Sequence, residues 1–222
     1  MQGRLISFEG LDGVGKSTQV ELLREALTAR DFTVQCLREP GGTLAGEELR
    51  SLIKRGCIES ALAELLAFET ARAELVETRI RPALERGGIV ILDRFADSSL
   101  AYQGALRVIP MDTIRQLNRI ATGGLLPDIT IWLALEPGEA LVRREGAGKP
   151  AAGGGEEEST ELDHIEMRDL EYFRMVHEIF QMIMTEEPER FLKLDASQPI
   201  DAVHANVNLA VLDMLKRNGW LT

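Results

Sequence analysis

The chain has 222 residues, 45% of them hydrophobic, with 36 Asp and Glu against 25 Lys and Arg, a formal charge of −11 at pH 7. That composition can bury the core of one domain, and no apolar run approaches the ~18 residues of a membrane helix. An acidic balance argues against a general nucleic-acid binder, and Cys36 and Cys57, without a CxxC pair, against a disulfide framework or a zinc site.

Short apolar runs alternate with longer helix-like segments, the pattern of a parallel sheet covered by helices. Met1 to Arg4 lead straight into a strand at Leu5–Glu9 with no signal-peptide core, so a cytoplasmic protein is expected. The string GLDGVGKS follows, comprising Gly10, Leu11, Asp12, Gly13, Val14, Gly15, Lys16 and Ser17, and then Thr18. It matches GxxxxGK[ST] at every fixed position, between a strand and an amphipathic run, as a phosphate-binding loop requires. Glycines let backbone N–H groups converge on phosphate oxygens at a helix N-terminus. Lys16 then neutralises the β- and γ-phosphates and Ser17 offers its hydroxyl to Mg²⁺, so a nucleoside triphosphate and Mg²⁺ are the expected ligands.

A helix over Lys16–Ala29 is predicted next, then a strand at Thr33–Leu37 and helices at Ala45–Lys54 and Ala61–Glu85. The third strand, Ile89–Leu92, runs into Asp93 and Arg94. An acid at the carboxyl end of a parallel strand lies beside the phosphate loop, where it holds Mg²⁺, partly through water. Arg94 in place of a second, water-activating acid suits phosphoryl transfer to an acceptor better than hydrolysis. Helices at Asp112–Ala121 and Pro137–Arg144, strands at Ile129–Leu135 and Phe191–Leu194, and helices at Glu161–Met184 and Asp201–Lys216 complete the reading. The fold class is α/β: a P-loop NTPase-type five-stranded parallel sheet flanked by helices, one domain over residues 1–222. The run from Gly146 to Thr160, rich in Gly, Pro and charge, reads as part of a lid over 143–160. Residues 153–187 hold eleven acids against Arg168 and Arg174, so the negative charge is concentrated there and the rest of the chain is nearly neutral.

Four further strings define the acceptor side: REPGGT (38–43), ELRSLI (48–53), FETAR (68–72) and DRFADSSLAYQG (93–104). With the phosphate loop, their order and spacing resemble bacterial thymidylate kinase, from about Leu5 to Leu135 and more weakly beyond. The resemblance implies phosphorylation of dTMP to dTDP with Mg-ATP, and a homodimer for which the long helix at Ala61–Glu85 is a plausible interface. It implies that Phe68 stacks on thymine and Arg72 hydrogen-bonds its carbonyl, the two sharing a helix face at i, i+4. It implies further that Arg50 and Arg94 grip the acceptor phosphate, and that Asp12 contacts the 3′-hydroxyl. Glu39 and Pro40 shape the pocket, Ser98, Ser99, Tyr102 and Gln103 line base and sugar, and the Tyr102 ring crowds the 2′ position. Catalysis then rests on Lys16, Asp93, Arg94 and a lid cation, with no side-chain nucleophile.

Family lids of this type carry several arginines and end in LDRIE. This chain has LDHIE, with His164 at the arginine position, and Pro150–Gly155 looks like an insertion. Arg143 aligns best as the lid cation, with Arg144 beside it and Lys149 and Arg168 as the other candidates. Two readings stand beside dTMP kinase: a P-loop kinase for another nucleotide or nucleoside, and a catalytically weak nucleotide-binding paralogue with an altered lid.

Overall fold

The apolar runs pair as a parallel sheet. The computed structural model describes residues 3–147, 165 and 168–221, the side chains of 144–147 excepted. Its strands are β1 (Arg4–Glu9), β2 (Val34–Arg38), β3 (Ile89–Asp93), β4 (Ile129–Ala134) and β5 (Phe191–Asp195), all parallel in the order β2-β3-β1-β4-β5. The inner strands β1, β3 and β4 are almost wholly buried, hence their largely apolar sequences, while the edge strands β2 and β5 are partly exposed.

Around the sheet lie α1 (Lys16–Thr28), α2 (Leu44–Lys54), α3 (Ala61–Leu75), α4 (Arg81–Glu85), α5 (Ala96–Ala105), α6 (Met111–Thr122), α7 (Pro137–Ala147), α8 (Leu170–Glu186) and α9 (Ile200–Arg217). Period-two alternation splits the strand residues between two cores. Ile6, Phe8, Ile89 and Ile91 pack with Val20, Leu23 and Leu27 of α1 and Val203, Val207 and Val211 of α9. Leu5, Val90 and Leu92 pack with Leu75 to Leu84. The chain leaves β1 toward β2 and β3 on one side and toward β4 and β5 on the other, which opens a crevice at the carboxyl ends beside β1. There Arg94 N–H donates to the Phe8 carbonyl (2.9 Å) and Glu39 N–H to that of Asp93 (3.0 Å), so three strand ends are fixed side by side.

Three elements differ from expectation. The helix predicted over Ala61–Glu85 is interrupted by a π-helical turn at Val76–Ile80, where Arg81 N–H reaches back to the Val76 carbonyl. Pro82 lacks an N–H, and its ring would collide with the carbonyl four residues earlier, so a widened turn relieves the clash. Of the helix predicted over Glu161–Met184, the described part starts at Leu170, with Ile165 in a turn, while 161–164 and 166–167 lie outside the described residues. The Asp169 carboxylate caps Tyr172 N–H (2.8 Å) and sets that start. Helix α5 was not predicted: it is buried nearly all round, so it has no polar stripe to give a helical period. Of the expected lid, 143–147 form the end of α7, and 148–160 lie outside the described residues.

α5 is tied to the sheet by a buried ion pair. Asp97 accepts two hydrogen bonds from Arg190, at 2.7 and 3.0 Å, and Arg190 also donates to Thr130 (2.6 Å), which shares a hydrogen bond with Ser7 (2.9 Å). Removing one partner of such a pair strands a buried charge. Asp97→Ala is expected to lower unfolding free energy by about 3–5 kcal/mol in urea titration. A loss no larger than that of an exposed pair, about 1 kcal/mol or less, would contradict this.

Candidate active site

The loop Gly10–Ser17 joins β1 to α1. A Cβ on Gly10, at φ +136°, would lie 2.5 Å from the Leu133 carbonyl oxygen, so only glycine fits there. Gly15, at φ +95°, is the N-cap of α1 and brings no side-chain cap. Helices α2, α3 and α8 are instead capped by Thr43, Ser60 and Asp169. The first-turn N–H groups of α1 are therefore left for an anion. The Lys16 ammonium is buried and donates to the carbonyls of Gly10 (3.2 Å) and Leu11 (2.7 Å). Burial pushes its pKa down and Arg94 adds to the effect, while Asp12 and Asp93 oppose it.

Two open cavities meet here. One, roughly 890 Å³ and partly open to solvent, is bounded by Gly13, Gly15, Lys16, Ser17 and Thr18 with Arg38 and Asp93. The other, roughly 690 Å³, is bounded by Pro40, Phe68, Ser98, Ser99, Tyr102 and Gln103 with Ile53, Lys54 and Ile165. Asp12, Glu39, Arg50 and Arg94 line both. The sequence-derived phosphate and acceptor residues are thus brought into adjoining spaces with a shared wall. A third cavity, behind the loop, is lined by Val14, Thr18, Arg143, Gln198, Ile200 and Val203 among others.

Arg94 is the hinge of the shared wall. Its φ of +71° is unfavourable for a residue with a Cβ and must be held by its surroundings. The buried Glu9 carboxyl does this, accepting from Phe95 N–H (2.8 Å) and from the Ser98 hydroxyl. The guanidinium donates to the Gly10 carbonyl (2.9 Å), Ser98 Oγ (3.2 Å), Asp12 and the Tyr102 hydroxyl (3.1 Å), with its carbon 4.9 Å from the centre of the Tyr102 ring. Burial works against its charge, but Asp12, followed by Tyr102, Asp93 and Glu9, outweighs burial and holds the pKa above its usual range.

Phe68 and Arg72 share a helix face, but only Phe68 reaches the cavity wall. Arg72 is 1% exposed and lies behind it, donating to Glu39 (2.8 Å), Glu69 (2.6 Å), Asn118 (2.8 Å), the Phe95 carbonyl (3.2 Å) and Ser99 (3.0 Å). All five guanidinium N–H groups are committed. The carbonyl contact expected of Arg72 is therefore not prepared here, and the residue instead fixes Glu39 and Ser99, which do line the cavity. Burial pushes Glu39 up to about 7 against the pull of Arg72.

Ser17 Oγ donates to Asp93 Oδ2 at 2.6 Å on the phosphate side. Two hard oxygen donors beside a phosphate loop fit Mg²⁺, which keeps several waters and shares phosphate oxygens instead of needing a full protein cage. Of the expected lid cations, Arg143 donates to the carbonyls of Ala196 (2.7 Å) and Ser197 (3.5 Å), on the wall of the third cavity. The Arg144 side chain, Lys149 and His164 lie outside the described residues. Arg168 is turned away from the phosphate side: it pairs with Glu64 (2.8 Å) and donates to the Tyr172 hydroxyl (2.7 Å).

Known proteins resemble this chain over nearly its whole length. The family model described as thymidylate kinase matches residues 8–207. Thymidylate kinase of Caldanaerobacter subterraneus subsp. tengcongensis is 42% identical over 97% of this chain and 98% of its own. That of Chlorobium chlorochromatii is 45% identical over 96% of each. The crystal structure of thymidylate kinase from Ehrlichia chaffeensis superposes with a TM-score of 0.75 at 32% identity, covering 96% of this chain and 100% of that one. The chain belongs to the thymidylate kinase family.

Sequence reasoning missed buried polar residues of this site, among them Glu9, Glu64, Glu69 and Asn118. For Glu64 a signal existed, since 64, 68 and 72 repeat every four residues on one face of α3. Glu9, the acid that ends an apolar strand, is the other detectable one, whereas Asn118 is joined to Arg72 only by tertiary folding.

Burial, reinforced by Asp97, pushes Glu9 from 4.5 up to about 8, against Ser98, Arg94 and Phe95 N–H. A carboxyl raised on folding contributes stability that is full below its unfolded pKa and is lost as pH rises through the folded one. Thermal unfolding temperature is thus expected to fall between about pH 5 and pH 8, and Glu9→Gln to flatten that decline. An unchanged slope in Glu9→Gln would contradict the assignment.

Proposed function

We propose that this member of the thymidylate kinase family transfers the γ-phosphoryl group of ATP to dTMP, giving dTDP and ADP. The observation that carries this reading is the pair of adjoining cavities sharing Asp12, Glu39, Arg50 and Arg94. The phosphate loop takes the triphosphate. The cavity under Phe68 takes the pyrimidine, with Ser98, Ser99 and Gln103 on its walls, the Tyr102 ring against the sugar and Asp12 at the 3′-hydroxyl. Arg94 and Arg50 then hold the acceptor phosphate facing the γ-phosphate. Such a reaction needs positioning and charge neutralisation more than covalent help. Lys16 and Arg94 stabilise the charge spread over the moving group. Ser17 and Asp93 would hold Mg²⁺, which would supply further neutralisation of the phosphates. Pre-set anchoring of Arg94 by Glu9 and Asp12 means that little reorganisation accompanies the reaction.

The donor's nucleoside end suits the third cavity, where Val14, Ile200 and Val203 offer apolar surface. Within a lid over 143–160, Arg143 or Arg144 supplies the remaining cation. The chain is read as a cytoplasmic homodimer, no helix among the described residues being long and apolar enough to cross a membrane. The dimer reading is supported by the exposed Leu62 and Leu66 of α3 and the exposed Leu44 and Leu52 of α2, packed beside it.

The test is ADP release with Mg-ATP and dTMP, dUMP, dCMP, dGMP or AMP as acceptor. The expected outcome is preference for dTMP, with kcat/KM reduced about 100-fold or more in Lys16→Ala and Arg94→Ala. Preference for another acceptor, or equal ADP release without one, would contradict the reading. If Arg143→Ala and Arg144→Ala each leave the rate unchanged, the lid assignment is wrong. Leu66→Glu is expected to turn a dimer into a monomer by light scattering, and a wild-type monomer would overturn the dimer reading.

A further inference from the structure

Behind the acceptor cavity lies a polar relay whose members beyond Gln103, namely Glu64, Arg168 and Tyr172, have no part in the phosphoryl-transfer reading. Gln103, 1% exposed overall, lines the cavity and donates from Nε2 to Glu64 Oε1 (3.0 Å). Glu64, 3% exposed, accepts at its other oxygen from Arg168 Nη2 (2.8 Å). Arg168 is held in turn by the Tyr172 hydroxyl (2.7 Å) and by the face of that ring, 4.8 Å from its centre. The Tyr172 hydroxyl donates to the Tyr102 carbonyl (2.9 Å), returning to the helix that bears Gln103.

The relay decides which end of an amide faces the ligand. A glutamine side chain has one end that donates and one that accepts, and its neighbours choose between them. Glu64 takes the Arg168 guanidinium on one oxygen and a hydrogen from Gln103 on the other, so it meets both neighbours as an acceptor. Gln103 must then turn its NH₂ toward Glu64. Its Oε1, which hydrogen-bonds nothing among the described residues, is left as an acceptor for the cavity.

Pyrimidines differ at this point. Thymine and uracil carry N3–H, a donor, whereas cytosine presents a lone pair at N3 and would face the Gln103 oxygen with two acceptors opposed. We propose that Glu64, backed by Arg168, is a specificity-positioning residue that locks the Gln103 amide as an acceptor and so selects pyrimidines bearing N3–H over cytosine. Arg168 sits at the start of α8 and Glu64 on α3, so two elements that do not line the phosphate side set base choice. The proposal rests on the kinase reading above and deepens it.

The test is the ratio of kcat/KM for dTMP to that for dCMP in wild type, Glu64→Gln, Gln103→Met and the double variant. Glu64→Gln, with a side chain that can donate or accept, frees Gln103 to turn. The ratio is expected to fall by about tenfold or more, mainly through the KM for dTMP, with kcat little changed. Because Glu64 acts through Gln103, adding Glu64→Gln to Gln103→Met should leave the ratio where Gln103→Met alone puts it. Arg168→Met, at a partly exposed position, carries the same direction of change if Glu64→Gln does not fold. A merely structural role would lower both substrates together. An unchanged ratio in the single variants, or a further fall in the Gln103→Met background, overturns the proposal while wild-type turnover of dTMP leaves the kinase reading intact. Wild type that fails to use dTMP overturns both.

Discussion

The guanidinium of Arg94 stands where the two cavities join, and most of the site is arranged to keep it there. Its backbone is bent into a left-handed conformation at the end of β3, its N–H is taken by the Phe8 carbonyl of β1, and its fork is divided among Gly10, Asp12, Ser98 and Tyr102. The parallel pairing of β1 with β3 makes this possible, because it sets Phe8 level with Asp93 and so places the phosphate loop beside the Asp93–Arg94 corner. A displacement of one strand end would separate the cation from the wall that the two cavities share.

Buried ion pairs recur around that corner: Arg72 with Glu39 and Glu69, Arg190 with Asp97, Arg168 with Glu64. Such pairs contribute little net stability once desolvation is counted, so their presence behind the acceptor cavity points to positioning. Apart from Arg72–Glu69, which lies within α3, each ties a residue that lines the cavity, or the helix bearing it, to a distant element. The negative net charge of the chain is no obstacle to polyanion binding, because its excess lies in residues 153–187 while the cavity walls carry Lys16, Arg50 and Arg94.

The sheet and the phosphate loop were legible in the sequence because their signals are local: apolar runs bounded by turns, and glycines at fixed spacing before Lys16 and Ser17. The acceptor side was legible through its strings, and the structure brings Asp12, Glu39, Pro40, Arg50, Phe68, Arg94, Ser98, Ser99, Tyr102 and Gln103 to one cavity. What pattern could not give was direction. Phe68 and Arg72 share a face at i, i+4, yet only tertiary packing decides that one meets the cavity and the other a pair of carboxylates. Helix α5 escaped because a helix buried on all sides has no period to read, and α8 was drawn too long because a capping aspartate at 169 looks like one more acid in an acidic run.

The central claim, that Arg94 joins a donor site to an acceptor site, is tested most directly by a crystal structure with dTMP and a non-hydrolysable ATP analogue bound together. The account predicts the dTMP phosphate within hydrogen-bonding distance of Arg94 and Arg50, its base under Phe68, and the analogue's terminal phosphate at Lys16 on the other side of Arg94. A dTMP phosphate that contacts neither arginine, or a base lodged outside the Phe68 cavity, would contradict it.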